Sequence, residues 1–162
     1  MSYFAKSYNS PIGVWWLIGT ERWLLKVGRG EEFIQKMKAI LHPLSFEKWP
    51  LPEALEELEG YFRGEIKTFK TPLLLEGTFF QKEVWRKVKE IPWGETRTYG
   101  EMAKAIGKPK ALRAVGRALG ANPLPIFIPC HRVISKRGLG GFSLGLEVKI
   151  WLLKHEGAFH EP

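Results

Sequence analysis

The only cysteine of the chain, Cys130, lies in the apolar segment IPCHRVI at residues 128–134. A thiol has an ordinary pKa of about 8.5, so it needs a base, and a group that orients the base, to act as a nucleophile near neutral pH. His131 is the nearest candidate base, His155 competes with it, and Glu156 could orient the imidazole. These residue types predict a thiol nucleophile; the alternative is an inert buried thiol, as a lone cysteine in an apolar run commonly is.

Charge divides the chain into two halves, and the cysteine lies in the basic half. Residues 1–76 carry 10 Lys/Arg and 10 Glu, whereas residues 77–162 carry 15 Lys/Arg and 7 Glu. The net charge of +8 therefore belongs to the second half. We expect one domain over residues 1–76 and another over residues 77–162. A basic domain favours a polyanionic partner such as nucleic acid, and a solvated basic surface without a partner is the alternative.

The first half has the pattern of a small sheet with helices. Turn residues separate short apolar runs at residues 3–8, 14–19 and 23–27, which predicts a three-stranded meander. Helices are predicted at residues 31–41 and 51–62, where apolar residues recur on one side. The predicted fold class is therefore α/β (α+β), with a small antiparallel sheet and helices in the N-terminal lobe.

The second half is predicted to be mostly helical. Capping boxes of the form Ser/Thr-x-x-Glu/Gln occur at Thr78–Gln81 and Thr98–Glu101, and each marks the start of a helix. A short helix over residues 99–106, a tight turn and a helix over residues 110–119 make a helix-turn-helix pattern. A last helix is predicted over residues 146–155.

One face of the helix at residues 110–119 is suited to DNA. Arg113 and Arg117 are four residues apart, so they share a face of the helix. Ala114 and Gly116 are small enough to let a backbone or a groove approach closely. The helix is therefore a candidate DNA-binding element, and a pair of packed helices without a DNA role is the alternative.

Composition argues against several classes of protein. One cysteine cannot form an intrachain disulfide or a cysteine-rich zinc site, so we predict no metal. The N-terminus lacks the charged start and apolar block of a signal peptide, and no apolar run approaches the ~18 residues of a membrane span. We expect a soluble cytoplasmic protein that uses no cofactor and no membrane. The absence of Asp beside abundant Lys and Glu is a bias typical of thermophile proteins.

Four segments of the second half resemble one protein family. They are TYGEMAKAIGKPKALRAVGRALGA at residues 98–121, NPLPIFIPCHRVI at 122–134, GGFS at 140–143 and WLLKHEG at 151–157. Together they resemble the O6-alkylguanine-DNA alkyltransferases, also called methylated-DNA–protein-cysteine methyltransferases. The resemblance implies an N-terminal ribonuclease H-like lobe, matched only in outline, and a mostly helical C-terminal lobe with a winged helix-turn-helix.

The resemblance also implies a reaction and a partner. A monomer of this family binds double-stranded DNA from the minor groove and flips O6-alkylguanine, and O4-alkylthymine, into a pocket. The thiolate at the position of Cys130 attacks the alkyl carbon, and the base leaves. The S-alkylcysteine is not regenerated, so each molecule reacts once, without a metal or cofactor.

The residue roles of the family transfer to this chain by resemblance. Cys130 accepts the alkyl group, His131 takes the thiol proton through a water, and Glu156 orients His131. Tyr99 hydrogen-bonds the flipped guanine, and Asn122 braces the turn before an active-site strand that carries the cysteine. The implied DNA-binding residues are Arg113, which fills the gap left by the base, Ala114, Gly116 and Arg117, and the implied pocket residues are Tyr99, Val133, Phe142 and Ser143.

Two other classes of function share parts of this pattern. Alkyltransferase-like proteins bind damaged DNA without transfer, but they lack the acceptor cysteine that is present here as Cys130. A thiol hydrolase would use a similar cysteine and histidine, but no oxyanion-stabilising device is evident. The chain also departs from the family in two places: Phe142 stands where some relatives have Tyr, and Leu112 is bulkier than the small residue common beside the intercalating arginine.

Overall fold

Short extended segments that carry buried apolar side chains and are connected by tight turns form a meander over residues 3–29. The computed structural model describes residues 2–159. Its first strands are β1 (Tyr3–Ser10), β2 (Gly13–Gly19), β3 (Leu24–Arg29) and β4 (Leu44–Ser45), in the sheet order β3-β2-β1-β4. The first three strands are antiparallel, which confirms the predicted meander, and β4 is parallel to β1.

Helices cover both faces of this sheet. α1 (Gly30–Ile40) and α2 (Pro52–Phe62) confirm the two helices that were predicted in this half. Ile18 packs in a buried cluster with side chains of α1. Trp15, an odd number of residues away on the same strand, belongs to the opposite face. There its ring lies 5.8 Å from the ring of Phe62 in α2.

A buried carboxylate fastens the segment after α2 to that helix. Glu57 is 6% exposed and accepts hydrogen bonds from the backbone N–H groups of Lys70 (2.6 Å) and Thr71 (3.1 Å). The Thr71 hydroxyl donates to the same carboxylate. These bonds fix the extended connector at the end of the first compact unit, Met1–Leu75.

The regular elements of the second compact unit, Glu76–Pro162, are mostly helices, as predicted. Both predicted capping boxes are present, at Thr78 with Gln81 and at Thr98 with Glu101. The elements of this unit are α3 (Phe79–Lys89), β5 (Arg97–Thr98), α4 (Tyr99–Ala105), α5 (Leu112–Gly120), β6 (Val133–Ile134) and α6 (Leu146–His155). The two short strands pair with each other in parallel.

The predicted pair of short helices around a tight turn is present as α4 and α5. α5 begins two residues later than predicted, because Lys110 still belongs to the turn. Its buried face carries Val115, Ala118 and Leu119. The indole N–H of Trp85 in α3 donates a 2.8 Å hydrogen bond to the carbonyl of Ala118, so this face is held against α3.

The segment that carries the cysteine is not the strand that its apolar composition suggests. Residues 122–129 are irregular, a single 3-10 turn covers Cys130–Arg132, and β6 has only two residues. The three prolines of NPLPIFIP have no N–H group to give to a strand ladder. The predicted active-site strand is therefore wrong, and Cys130 lies on a turn.

The mixed α/β class of the chain is confirmed. The ribonuclease H-like form of the first unit and the winged form of the helix-turn-helix stay predictions. Within residues 2–159, no helix has the length and apolar composition needed to cross a bilayer.

Replacing Glu57 with Ala should destabilise the fold, because two backbone N–H groups and one hydroxyl lose their acceptor. We expect a loss of about 2–4 kcal/mol in the free energy of unfolding, measured by urea denaturation. The matched control is Glu56→Ala, since Glu56 is exposed on the same helix. This control should change the free energy by about 0.5 kcal/mol or less. Equal losses in the two variants would contradict the anchoring role of Glu57.

Candidate active site around Cys130

The 3-10 turn Cys130–Arg132 places the cysteine and the histidine in one site. The turn follows Pro129, whose φ is −79°, and the N–H of Cys130 donates to the carbonyl of Ile128 at 2.7 Å. Cys130 is 4% exposed and His131 is fully buried. Successive side chains of a 3-10 helix diverge by about 120°, whereas those of a strand point to opposite faces. The side chains of Cys130 and His131 therefore diverge less on this turn than they would on a strand.

Asn122 ties the end of α5 to the cysteine. Its side-chain amide donates to the carbonyl of Ile128 at 2.8 Å and to the Sγ of Cys130 at 2.9 Å. Its Oδ1 accepts from the N–H of Leu124 at 2.9 Å. One side chain thus sets the path of the irregular segment and contacts the thiol itself.

A buried carboxylate joins the histidine and the arginine of the turn. The Nε2 of His131 lies 2.6 Å from Oε2 of Glu156, the residue that ends α6. Arg132 donates to both oxygens of the same carboxylate, from Nε at 2.8 Å and from Nη2 at 3.1 Å. The Nη1 of Arg132 also donates to the carbonyl of Ile91 at 2.7 Å. The sequence analysis did not assign Arg132 this role.

These contacts determine the charge states of Glu156 and His131. Burial alone would raise the pKa of Glu156, but hydrogen bonds and charges from His131 and Arg132 lower it to about 2. Burial lowers the pKa of His131 below its ordinary value, although Glu156 opposes this shift. At neutral pH the carboxylate is therefore ionised and the imidazole is neutral.

The neutral imidazole has one nitrogen left for proton transfer. Since the ionised carboxylate of Glu156 can only accept, Nε2 of His131 carries the hydrogen and donates it. Nδ1 then holds a lone pair, and it is a buried atom without a hydrogen-bond partner among the described residues. This nitrogen is suited to act as a general base, and a proton gained there would be stabilised by Glu156.

The thiol is protonated in the resting protein. Burial raises the pKa of Cys130 to about 12, while the hydrogen bond from Asn122 and the charge of Lys149 act in the opposite direction. The thiolate is the nucleophilic form of cysteine. A reaction near neutral pH therefore requires a base that removes the proton as the sulfur attacks.

Lys149 of α6 is a fully buried cation that the sequence analysis missed. Its Nζ donates to the carbonyls of Val133 at 2.7 Å and Gly141 at 2.9 Å. Burial lowers its pKa to about 8, and the charge of Cys130 acts against that shift. One signal was available, because Lys149 precedes Glu156 by two helical turns and so lies on the same stripe of α6.

The thiol lies in the wall of a small cavity of about 190 Å³. Other cavities of about 300 Å³ and 480 Å³ have no cysteine in their walls. The lining of the small cavity includes residues that were predicted to bind DNA, to form the substrate pocket and to take part in catalysis. Its lining comprises Tyr99, Gly116, Leu119, Gly120, Cys130, Gly141, Phe142 and Ser143.

The hydroxyl of Tyr99 is held by the glycine pair of the loop before α6. It accepts a hydrogen bond from the N–H of Gly141 at 3.2 Å. Gly140 has φ +73°, and a Cβ built on it would lie 2.6 Å from the Tyr99 hydroxyl. Only glycine gives this approach of the loop backbone to the tyrosine without a clash.

The outward face of α5 borders the same cavity. Arg113 and Arg117 are exposed, and Ala114 and Gly116 are partly buried. Gly116 lines the cavity, and a Cβ built on it would meet no atom within 4 Å. The surface beside the cavity is therefore basic and open to a large ligand.

Two predicted residues have surroundings other than those expected. Val133 is fully buried, and its carbonyl accepts from Lys149, so its part in lining a pocket stays a prediction. The ring of His155, the competing base, lies 4.8 Å from that of Trp151 and 5.3 Å from that of Trp93. Within residues 2–159, no group of three or more His, Cys, Asp or Glu side chains is arranged to hold a metal ion.

Comparison with known proteins gives consistent matches. Residues 79–158 match a family model described as the DNA-binding domain of 6-O-methylguanine DNA methyltransferase. The methylated-DNA–protein-cysteine methyltransferase of Methanosarcina acetivorans is 49% identical over 154 residues, which are 93% of this chain and 96% of that protein. The constitutive methylated-DNA–protein-cysteine methyltransferase of Bacillus subtilis is 40% identical, with 96% of each chain covered.

Solved structures agree with these sequence matches. The crystal structure of Mycobacterium tuberculosis OGT in complex with DNA superposes with a TM-score of 0.85 at 39% identity, covering 97% of this chain and 93% of that one. The O6-methylguanine-DNA methyltransferase of the hyperthermophilic archaeon Pyrococcus kodakaraensis has a TM-score of 0.68 at 26% identity, covering 96% and 99%. Because relatives that are 40% and 49% identical match along nearly the whole chain, this protein belongs to the methylated-DNA–protein-cysteine methyltransferase family.

Proposed function

We propose that this protein repairs double-stranded DNA by transferring the alkyl group of O6-alkylguanine to its own Cys130, once per molecule. The observation that carries the proposal is the set of contacts around Cys130: a thiol in a cavity wall, beside a histidine that a buried carboxylate polarises. O4-alkylthymine, which presents an alkyl group on a similar exocyclic oxygen, is a second expected substrate.

The chemical step is a nucleophilic displacement at the alkyl carbon. The Sγ of Cys130 forms the new C–S bond while the bond between that carbon and O6 of guanine breaks. The thiol proton passes to Nδ1 of His131, through a water, and Glu156 stabilises the imidazolium that forms. The electron pair of the broken bond stays on guanine, which then takes up one proton and leaves as the neutral base.

Tyr99 is placed to assist the leaving base. Its hydroxyl lies in the cavity wall with Cys130, and the N–H of Gly141 already donates to it. That donated bond leaves the phenol proton available for a ring nitrogen of the flipped guanine. A hydrogen bond there offsets the negative charge that develops on guanine as the alkyl group departs.

The exposed face of α5 is proposed to engage the duplex. Arg113 and Arg117 stand on the open side of the helix that borders the cavity, in the half of the chain that carries the whole net charge. A base reaches a buried thiol only after it leaves the helical stack. Arg113 then fills the gap, Ala114 and Gly116 allow the groove to approach, and Arg117 contacts phosphate.

The product explains why the reaction is stoichiometric. Reversal would require the oxygen of neutral guanine, a weak nucleophile, to displace a thiolate from the alkyl carbon, so the alkylated cysteine does not return to the thiol. Alkylation also adds atoms beside the Asn122 amide, which lies 2.9 Å from Sγ in the unreacted protein. In the proposed step, one chain therefore supplies both the alkyl acceptor, Cys130, and the general base, His131. No cofactor takes part.

Intact-mass measurement tests the proposal directly. After incubation with a duplex that contains O6-methylguanine, the protein should gain the mass of a single methyl substitution, located on Cys130 by peptide mapping. Cys130→Ala should gain none, while its affinity for the duplex remains. An unchanged wild-type mass would refute the transfer, and many turnovers per molecule would indicate a hydrolase instead.

The pH dependence of transfer tests the His131–Glu156 pair. Because burial lowers the pKa of His131, the single-turnover rate should stay level down to pH 6.5, the ordinary pKa, and fall only below it. Glu156→Gln should lower the level rate by about 100-fold, since the imidazolium loses its carboxylate. The acidic fall should also move to lower pH, because Glu156 raises the pKa of His131.

The control for this pH experiment is Glu147→Gln, an exposed carboxylate of the same helix. Its rate profile should match that of the wild type. A Glu156→Gln variant with an unchanged level rate, or an acidic fall shifted to higher pH, would show that the pair does not serve as the base.

Arg113 and Arg117 are expected to differ in what they contribute. Arg113→Ala should slow methyl transfer from duplex DNA while leaving the reaction with free O6-methylguanine base unchanged, because the free base needs no gap filled. Arg117→Ala should weaken binding to damaged and undamaged duplex alike and reduce the salt dependence of log K by about one unit. Equal losses of Arg113→Ala on duplex and free base would contradict the gap-filling role.

A further inference from the structure

The buried lysine of α6 joins the two backbone segments that form the site. Lys149 is fully buried, and its Nζ donates to Val133, which directly follows the turn of Cys130, and to Gly141 in the loop before α6. The first bond reaches the cysteine-bearing segment and the second reaches a wall of the cavity. One side chain therefore sets the spacing between the thiol and the opposing loop.

The peptide units around Gly141 are held from both sides. The carbonyl of Gly141 accepts from Lys149 at 2.9 Å, and its N–H donates to the hydroxyl of Tyr99 at 3.2 Å. A chain of two hydrogen bonds thus connects the lysine to the tyrosine that faces the leaving base. Displacing Lys149 would release the loop and leave the Tyr99 hydroxyl without its donor.

The charge of Lys149 lacks a carboxylate partner. Among the described residues, the ion pairs of this site join Glu156 to His131 and Arg132, and none includes Lys149. A buried ammonium is unfavourable unless an anion or several dipoles compensate it. The two carbonyls supply dipoles, and one of the three N–H groups of the ammonium remains beyond these two bonds. The anion that the proposed reaction creates in this site is the thiolate of Cys130.

The other charged groups of the site do not compensate the negative charge of a thiolate at Cys130. The guanidinium of Arg132 donates its hydrogen bonds to the carboxylate of Glu156 and to the carbonyl of Ile91. His131 must receive a proton, so it gains positive charge only as the thiol loses its own. Lys149 is the cation of α6 whose charge acts on Cys130.

We propose that Lys149 is a positioning residue whose ammonium serves as the counter-charge of the forming thiolate and whose two hydrogen bonds fix the cavity wall against the thiol. This inference rests on the proposed function. Lys149 keeps its proton throughout, and it forms and breaks no covalent bond. Its contribution falls at the stage when sulfur carries the negative charge, and it ends once the neutral thioether has formed.

Reactivity of the thiol toward a small neutral reagent tests the charge without DNA. The chain has a single cysteine, so modification by iodoacetamide reports on Cys130 alone. In Lys149→Met, loss of the cation should raise the thiol pKa, lower the fraction of thiolate and slow the modification about tenfold. A purely structural lysine predicts the opposite sign, since looser packing would hydrate and expose the thiol and speed its modification.

Lys149→Gln separates the charge from the hydrogen bonds. Glutamine is neutral but keeps a donor for one of the two carbonyls, so it should react as slowly as Lys149→Met if the charge is what matters. If Lys149→Met does not show the cooperative unfolding of a folded protein, Lys149→Gln still tests the effect of the charge. The matched control is Lys154→Gln on the exposed part of the same helix, which should react at the wild-type rate. Rates equal to or faster than wild type in Lys149→Gln would overturn the proposal.

Methyl transfer from a duplex supplies the second readout. Both Lys149 variants should transfer at least about tenfold more slowly at saturating duplex, while their affinity for that duplex stays within about twofold, because α5 is unchanged. Transfer at the wild-type rate by either variant would overturn the inference. If the wild-type protein itself gained no methyl group, the proposed function would fail, whereas the iodoacetamide comparison would still decide whether Lys149 acts on the thiol.

Discussion

The buried carboxylate of Glu156 is the interaction on which the arrangement of the site depends. It closes α6 and holds both the histidine and the arginine of the 3-10 turn, and the arginine in turn reaches the carbonyl of Ile91 after α3. A helix C-terminus disfavours an anion, so this carboxylate is stable there only because of its two cationic or donating partners. Each of the three residues therefore depends on the others, as buried ion pairs do.

Burial gives the thiol two properties that oppose each other. It shields Cys130 from electrophiles in solution, and it raises the pKa of the group so that little thiolate exists at rest. The hydrogen bond from Asn122 and the charge of Lys149 both act to lower the pKa of Cys130, but they do not cancel the effect of burial. Nucleophilic reactivity near neutral pH then depends on a base that removes the thiol proton.

Local signals predicted most of the helices, because caps and apolar spacing act over three or four residues. The capping box of Thr98 and Glu101 is an example. The two-residue strands β4, β5 and β6 depend on distant partners and have no such signal. Residue types also indicated His131 and Glu156, which are 25 positions apart yet lie within 2.6 Å. Lys149 was missed because a lysine in an amphipathic helix ordinarily faces solvent, although its spacing from Glu156 placed both residues on one stripe.

The glycine pair of the loop before α6 limits how this pocket can vary. At Gly140 any side chain would meet the Tyr99 hydroxyl and would also have to adopt φ +73°. Substitutions that enlarge the cavity must therefore come from other walls, where Phe142 and Leu119 stand. The backbone at Gly140 thus fixes one wall of the cavity, and side chains elsewhere in the lining set its size.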